Sequence, residues 1–191
     1  MGHGTIVPRR KRGHRLVFPR LLRRSIASRQ GEALYFAAYA HARNEGFYTR
    51  LHVPDTVSGR FELQTLHIIL LLDRLRLDGA ALEPLRQALF DAYLSNLDAA
   101  LREMGVGDLA VGKRMRGLGE AFYGRAAAYD RAIAALPDKA EVTALLHRTV
   151  LAGDEARPPS RLADYALACR DSLRQCATAD FQAATPRWIV P

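Results

Sequence analysis

The hydrophobic and polar positions of this chain repeat with the period of α-helices, and no stretch alternates as a strand would. Gly46, Pro54, Gly79 and the pair Gly105 and Gly107 separate the periodic stretches, because glycine and proline interrupt helices. We predict helices over residues 31–44, 58–77, 82–104, 108–136, 139–151 and 161–177. The pattern therefore predicts an all-α protein, a bundle or irregular helical array of about six helices.

Apolar side chains surround the second predicted helix, and Phe61, Leu66, Ile69 and Leu72 represent its different sides. A helix that lacks a polar face is buried from all directions. We therefore expect this helix at the centre of the fold, with Ser58 as its N-cap.

The fourth predicted helix has two different faces. Core-sized side chains repeat along one face: Val111, Met115, Leu118, Phe122, Tyr129, Ile133 and Leu136. A stripe of small side chains follows another: Gly117, Ala121, Gly124, Ala128, Ala132 and Ala135. Each glycine inside a helix costs about 1 kcal/mol relative to alanine, and a smooth stripe lets a second helix approach closely, as membrane helices do. A neighbouring helix of the same chain is the simpler occupant of the stripe, and a partner's helix is the alternative.

Charged residues gather at the predicted turn between the third and fourth helices: Arg102, Glu103, Asp108, Lys113 and Arg114. We expect Asp108 to cap the fourth helix, and Gly105 and Gly107 to supply positive φ angles in the turn. Contact of this charged corner with a partner is the alternative. In the loop before the second helix, Asp55 is expected to pair with Arg60 or with Arg125.

The formal net charge of +8 comes from the N-terminal segment, because residues 1–29 contain nine basic residues and no acidic one. The remaining chain is nearly neutral. We expect three regions: a flexible basic tail over 1–29, a helical domain over 30–152, and a linker, helix and tail packed on that domain over 153–191. The tail is either a solvated arm without a specific partner, or it binds ribosomal RNA or anionic lipid through Arg9, Arg10, Lys11, Arg12, Arg23 and Arg24.

The sequence contains no phosphate-binding glycine loop, no nucleophile elbow and no cysteine or histidine pair at metal-binding spacing. We therefore expect no enzymatic activity, cofactor or metal. His67 and His147 are expected to be core or rim residues rather than ligands. Cys169 and Cys176 lie seven residues apart on one predicted helix, too far for a disulfide, and indicate a reducing compartment. No apolar run is long enough to span a bilayer.

Two blocks of residues resemble the ubiquinol–cytochrome c chaperone family. The first contains VPDT at 53–56, GRFE at 59–62, LH at 66–67 and LDRL at 72–75. The second contains LREMGVGDL at 101–109, Lys113 and FYGR at 122–125. The blocks stand in the expected order, and the resemblance covers roughly residues 32–150. It implies a non-enzymatic chaperone that binds newly synthesised cytochrome b and promotes assembly of the respiratory bc1 complex.

The resemblance also implies partners and a location. The partners are nascent cytochrome b, the ribosome near the tunnel exit and a small partner chaperone, with peripheral contact to an anionic membrane. The expected location is a bacterial cytoplasm at the inner membrane. The mitochondrial matrix is the alternative, because the N-terminal segment is rich in arginine and free of acids, like a transit peptide. Since residues 1–15 match nothing in the family, we also expect translation to start later, at Leu16 or Val17.

The residues that we expect to contact a partner lie in the two motif blocks and the small-residue stripe: Asp55, Arg60, Arg102, Glu103, Gly105, Gly107, Asp108, Lys113, Arg114, Gly117, Ala121, Phe122, Tyr123, Gly124 and Arg125. Two other functions stay open at this point. One is a ribosome- or RNA-associated factor that acts through the basic tail. The other is a carrier of haem or quinone with a pocket beside the stripe.

Overall fold

A computed structural model describes residues 18–191 of the chain, with side chains from residue 26 onward. The described part is all-helical and contains no strand, as the sequence predicts. Its helices are α1 (Phe18–Ala42), α2 (Gly46–Thr49), α3 (Val57–Arg76), α4 (Glu83–Glu103), α5 (Asp108–Ala134), α6 (Ala140–Arg148), α7 (Ser160–Arg174) and α8 (Thr178–Gln182), with a 3₁₀ turn at Gly79–Ala81. The six predicted helices correspond to all of these except α2 and α8, which are too short to show a periodic pattern.

Helix α1 begins at Phe18, inside the segment that we expected to be a flexible tail. Pro19 stands in the first turn, where the N–H that proline lacks would have no helical partner. Ala27 is buried, and a Cβ on Gly31 would lie 2.5 Å from the Ala88 carbonyl carbon of α4. Residues 18–29 thus belong to the same helix as residues 30–42, and this helix packs on α4. Arg9, Arg10, Lys11 and Arg12 lie outside the described residues, as does the predicted translation start.

Helix α3 is the centre of the fold, as predicted, and packs against α1, α4 and α7. Residues 62–71 are buried without a break. Four polar side chains in this stretch each bond to a different neighbouring helix: Glu62 to Arg125 of α5, Gln64 to Tyr35 of α1 at 2.8 Å, Thr65 to Tyr93 of α4 at 2.9 Å, and His67 to Tyr165 of α7 at 2.8 Å. Because hydrogen bonds are directional and buried polar groups need partners, these bonds fix the rotation of α3 within its neighbours.

The loop before α3 explains the first motif block in structural terms. Thr56, not Ser58, is the N-cap of α3, and its hydroxyl accepts a hydrogen bond from the Gly59 N–H at 3.1 Å. The chain turns so tightly that a Cβ on Gly59 would lie 2.1 Å from the Pro54 carbonyl oxygen. Val53 is buried beneath this turn. The N-cap is Thr56 rather than the predicted Ser58 because α3 begins at Val57, before the start of the hydrophobic pattern from which the cap was predicted.

The C-terminal residues return over the helical body after α8. Residues 185–191 have no regular secondary structure, and the Ser172 hydroxyl of α7 donates a hydrogen bond to the Arg187 carbonyl oxygen at 2.8 Å. Cys169 of α7 and Cys176, just beyond the end of that helix, are free, as predicted, and both are buried. None of the helices between residues 18 and 191 has the length and apolar character needed to cross a membrane.

Candidate functional site

The outer face of α5 brings four of the predicted contact residues, Lys113, Gly117, Tyr123 and Gly124, together with other exposed residues on one surface. Its members are exposed and follow one another at steps of one to four residues along the helix. They are Leu109, Gly112, Lys113, Arg116, Gly117, Glu120, Tyr123, Gly124 and Ala127. The opposite face carries the buried side chains Val111, Phe122 and Tyr129, so the core face is where the sequence predicts it.

The glycines of the outer face have open space in front of them. A Cβ on Gly112, Gly117 or Gly124 would meet no described atom within 4 Å outside its own surroundings in the helix. By contrast, Gly31 and Gly59 are glycines because neighbouring backbone leaves no room for a side chain. The described residues therefore give no internal packing reason for the outer-face glycines, and no neighbouring helix covers them.

The predicted stripe of small residues does not lie on one surface, which corrects its outline. Gly117 and Gly124 are exposed, Ala121 and Ala128 are half-buried, and Ala132 is buried in the core. Ala121, Ala128 and Ala132 turn toward the core because their row winds around the helix relative to the glycines, whereas Ala135, just after α5, is exposed. The smooth surface is thus centred on the glycines, and Ala121 stands at its edge.

Aromatic side chains form one edge of the outer face. Tyr123 is 63% exposed and lies against Phe90 of α4, with ring centroids 5.6 Å apart. Phe122 packs beneath them, 5.0 Å from Phe90 between centroids. This group places an exposed ring beside the open helix backbone, supported by buried rings that hold it in position.

The charged corner forms at the turn between α4 and α5. Arg102 bonds to Asp98 at 2.6 Å and also to Asp108, which confirms that the two sides of the turn meet. Glu103, Lys113 and Arg114 are exposed. Beside them, Leu109 is fully exposed and Met104 is 59% exposed, so the corner mixes charge with accessible apolar surface.

Two expectations for this turn are wrong. Asp108 does not cap α5: Gly107 is the N-cap, without a side-chain hydrogen bond, and the Asp108 carboxylate bonds to Arg102 instead. Gly105 has a φ of +80°, as expected, whereas Gly107 has an extended conformation with φ of −63°. One positive φ angle is enough to end α4, and the extended residue then starts α5.

Asp55 and Arg60 form the predicted ion pair, with 2.6 Å between Oδ1 and Nε. The Arg60 hydrogen bond lowers the pKa of Asp55. Arg125 takes a different partner, Glu62 of α3, which sequence reasoning missed. The signal was present, since Glu62 is an acid at the start of a long apolar run, and acids are rarely buried unless they are paired.

A buried chain of hydrogen bonds was also not foreseen. His67 Nδ1 donates to the Leu63 carbonyl oxygen at 2.7 Å, so its Nε2 accepts from the Tyr165 hydroxyl at 2.8 Å. The Tyr165 oxygen in turn accepts from His41 Nε2 at 2.8 Å. Burial lowers the pKa of His41 to about 4 and is the main reason that the pKa of His67 is lowered to about 3, so both are neutral at pH 7. His147, near the surface, contacts the Asp154 carbonyl oxygen.

No group of three or more histidine, cysteine or acidic side chains is arranged for a metal ion within the described range. A cavity between α3, α5 and α6 has a volume of about 20 Å³ and is lined by Glu62, Leu66, Tyr129 and Leu146, among others. Ligand pockets usually enclose about 300–1,000 Å³. This cavity is therefore too small for haem or a quinone.

These features define an α-helical protein whose candidate contacts lie on an exposed helix face rather than in a cleft. The model of the family described as ubiquinol-cytochrome C chaperone matches residues 49–188. The chain belongs to this ubiquinol–cytochrome c chaperone family. The match extends past residue 150, where our motif-based resemblance ended, so the C-terminal helices belong to the family region. Membership in a chaperone family implies a non-enzymatic role.

The structure resembles the crystal structure of the Cbp3 homolog from Brucella abortus, with 35% sequence identity and a TM-score of 0.77. The similarity covers 91% of this chain and 97% of the Brucella chain. A comparison with curated proteins gives no significant match.

Proposed function

We propose that the protein is an assembly chaperone of the cytochrome bc1 complex and that it holds newly synthesised cytochrome b against the outer face of α5. Family membership and the similarity to the Cbp3 homolog support the chaperone role. The choice of surface rests on one observation: three glycines on this face have open space in front of them.

Open glycines inside a helix need a reason outside the described fold. Each destabilises α5 by about 1 kcal/mol relative to alanine, and no described neighbour uses the space. A partner that packs against the α5 backbone would use that space directly. Gly117 and Gly124 lie seven residues apart, which is two helical turns, so a partner helix could contact both.

The chemistry of the face suits a transmembrane helix of the client. Apolar helices associate through small residues that let their backbones approach closely. Tyr123 adds an aromatic contact at one edge, and Leu109 and Met104 add apolar contacts at the corner. Lys113 and Arg114, with the Asp55–Arg60 pair, would contact polar loops of the same client. Binding here would cover apolar client surface until assembly.

The basic N-terminal segment would bring the chaperone to the place where its client is made. Arg20, Arg23, Arg24 and Arg29 lie in α1, and the other basic residues of the segment lie outside the described residues. Anionic lipid of the inner membrane attracts such segments, as does ribosomal RNA near the tunnel exit. We place the protein peripherally at the cytoplasmic side of the inner membrane, with a small partner chaperone as a further candidate contact.

Site-specific crosslinking tests the proposed surface. A photo-crosslinking residue is placed at Gly117 or Gly124, and as a control at the exposed Ala144 of α6, in cells that synthesise cytochrome b. We expect a cytochrome b adduct from the α5 positions and none from Ala144. Adducts of equal yield from all three positions, or none from α5, would exclude the outer face as the client site.

A second experiment links the surface to assembly. Gly124→Leu fills the space in front of α5, and Ala144→Leu is the matched control on another exposed helix. We expect Gly124→Leu to lower the amount of assembled bc1 complex, measured by its cytochrome b absorbance, while the thermal stability of the chaperone is retained. Normal assembly with both variants would contradict the proposal.

A further inference from the structure

Residues 186–191, here called the C-terminal strap, lie across the groove between α1 and α7 without secondary structure. Pro186 and Pro191 are buried at its two ends, whereas Val190 is 72% exposed. A Cβ on Gly46 would lie 2.8 Å from the Pro191 main-chain oxygen, so the last part of the strap fits against the start of α2. The strap is thus a separate, extended segment seated in a groove of the helical body.

Three hydrogen bonds join the strap to α7 and to the turn that follows it, and one of them has a sulfur acceptor. The Arg187 N–H donates to Cys176 Sγ at 3.3 Å. Sulfur is a poor acceptor. The remaining bonds are the Ser172 hydroxyl to the Arg187 carbonyl oxygen and the exposed Arg187 guanidinium to the Gln175 carbonyl oxygen at 2.9 Å. All three bonds are made by Arg187, near the start of the strap.

The strap also covers the buried histidine chain. The Trp188 ring stacks on His41, with ring centroids 4.8 Å apart and ring planes within 7° of parallel. The Trp188 and His67 rings meet edge to face, with centroids 5.4 Å apart. Trp188 itself is only partly buried. When the strap is in place, His67 and both thiols are buried, and one face of the half-buried His41 ring is covered.

We propose that the strap detaches from the groove while the eight helices stay folded, and that the closed and open states differ in access to Cys169, Cys176 and His41. Segments with few buried contacts and exposed hydrogen bonds open locally at much lower free energy than global unfolding. The open state uncovers the groove between α1 and α7 that the closed state fills with the chain's own proline- and tryptophan-containing segment. This inference is independent of the client surface on α5.

Thiol labelling of the full chain with Ellman's reagent tests the proposal. Both thiols are buried, so each reacts only through an opening event. Local opening exposes little surface, and its rate of labelling is therefore nearly independent of urea below the unfolding transition. Trp188→Ala should speed the labelling by about tenfold, as expected when the aromatic stack of Trp188 on His41 is lost.

Leu146→Ala is the control, because it weakens the core between α3, α5 and α6 and leaves the strap residues unchanged. We expect it to lower the melting temperature without speeding the labelling at low urea. The proposal is overturned if labelling of the wild-type protein rises with urea at the slope of global unfolding, or if both variants speed labelling equally. The urea dependence of labelling in the wild-type protein tests the proposal even if Trp188→Ala fails to fold.

Discussion

Glu62 of α3 and Arg125 of α5 form a two-pronged ion pair inside the fold. Arg125 Nε lies 2.6 Å from Glu62 Oε2, and a second guanidinium nitrogen bonds to Oε1. The Glu62 side chain is 9% exposed and that of Arg125 is 27% exposed. Gly124 is the neighbour of Arg125 in the chain. The ion pair therefore anchors the segment of α5 that carries the proposed client surface to the central helix α3.

Removing one partner of this pair should strongly destabilise the fold. Arg125→Met leaves the buried Glu62 carboxylate without its partner, and we expect a loss of about 3 kcal/mol in the free energy of unfolding. The double variant Glu62→Gln with Arg125→Met should recover part of the loss. Lys139→Ala, which breaks the exposed pair with Asp164, is the control and should change little. Urea unfolding measures all three, and equal losses in Arg125→Met and Lys139→Ala would contradict the structural role.

The helical plan could be predicted from sequence because it depends on local signals. Apolar residues around the α3 axis indicated a central helix, and glycine and proline marked most ends. The Glu62–Arg125 pair depends instead on how α3 and α5 pack, because the two residues are 63 positions apart in the chain. No local sequence pattern encodes such a contact. The strap was missed for a related reason, since an extended segment that binds through Trp188 has no helical period.

The candidate site was predicted only in part, and the glycines show why. Sequence alone treats Gly31, Gly59 and Gly124 alike, although the first two accommodate close backbone contacts and the third faces open space. For the same reason, the sequence predicted the smooth surface along the alanine stripe, whereas the structure has it at the outer glycines. Which side of a helix faces solvent follows from its neighbours, not from its own residues.

Two glycine-to-alanine changes should therefore have opposite effects on stability. Gly124→Ala adds helix propensity in open space and should raise the stability by about 1 kcal/mol, or the melting temperature by roughly 2–4 °C. Gly31→Ala places a methyl group against the α4 backbone and should lower the stability by about 1–3 kcal/mol. Thermal unfolding of the two variants checks this. Shifts in the same direction would show that α1 and α5 are packed differently.

Two buried tyrosines should respond differently to the loss of their hydroxyl groups. The Tyr129 hydroxyl is buried and has no hydrogen-bond partner among the described residues, so Tyr129→Phe removes an unsatisfied group and should stabilise the protein by about 1 kcal/mol. The Tyr165 hydroxyl joins His41 and His67, and Tyr165→Phe should cost about 1–3 kcal/mol. The urea concentrations at the unfolding midpoints of the two variants and the wild-type protein measure both effects. A destabilised Tyr129→Phe would indicate that its hydroxyl has a partner, such as a bound water.

The histidine chain should make the fold sensitive to mild acid. Burial lowers the pKa of His41 to about 4, and burial with the nearby His41 lowers that of His67 to about 3, whereas both titrate near 6.5 when unfolded. Between pH 6.5 and 4 the unfolded chain therefore binds more protons than the native one. Stability from these neutral histidines is fully present above pH 6.5 and falls as the pH decreases.

From pH 6.5 to 5, the linkage predicts a loss of roughly 2 kcal/mol from His67 and a smaller loss from the half-buried His41. Urea unfolding at a series of pH values measures this slope. His67→Gln lacks the titrating group and can still bond to Tyr165, so it is the control: its starting stability is lower, but its slope between pH 6.5 and 5 should be less than that of the wild type. A slope unchanged by His67→Gln would assign the acid sensitivity to other groups and would show that His67 is not held neutral by burial.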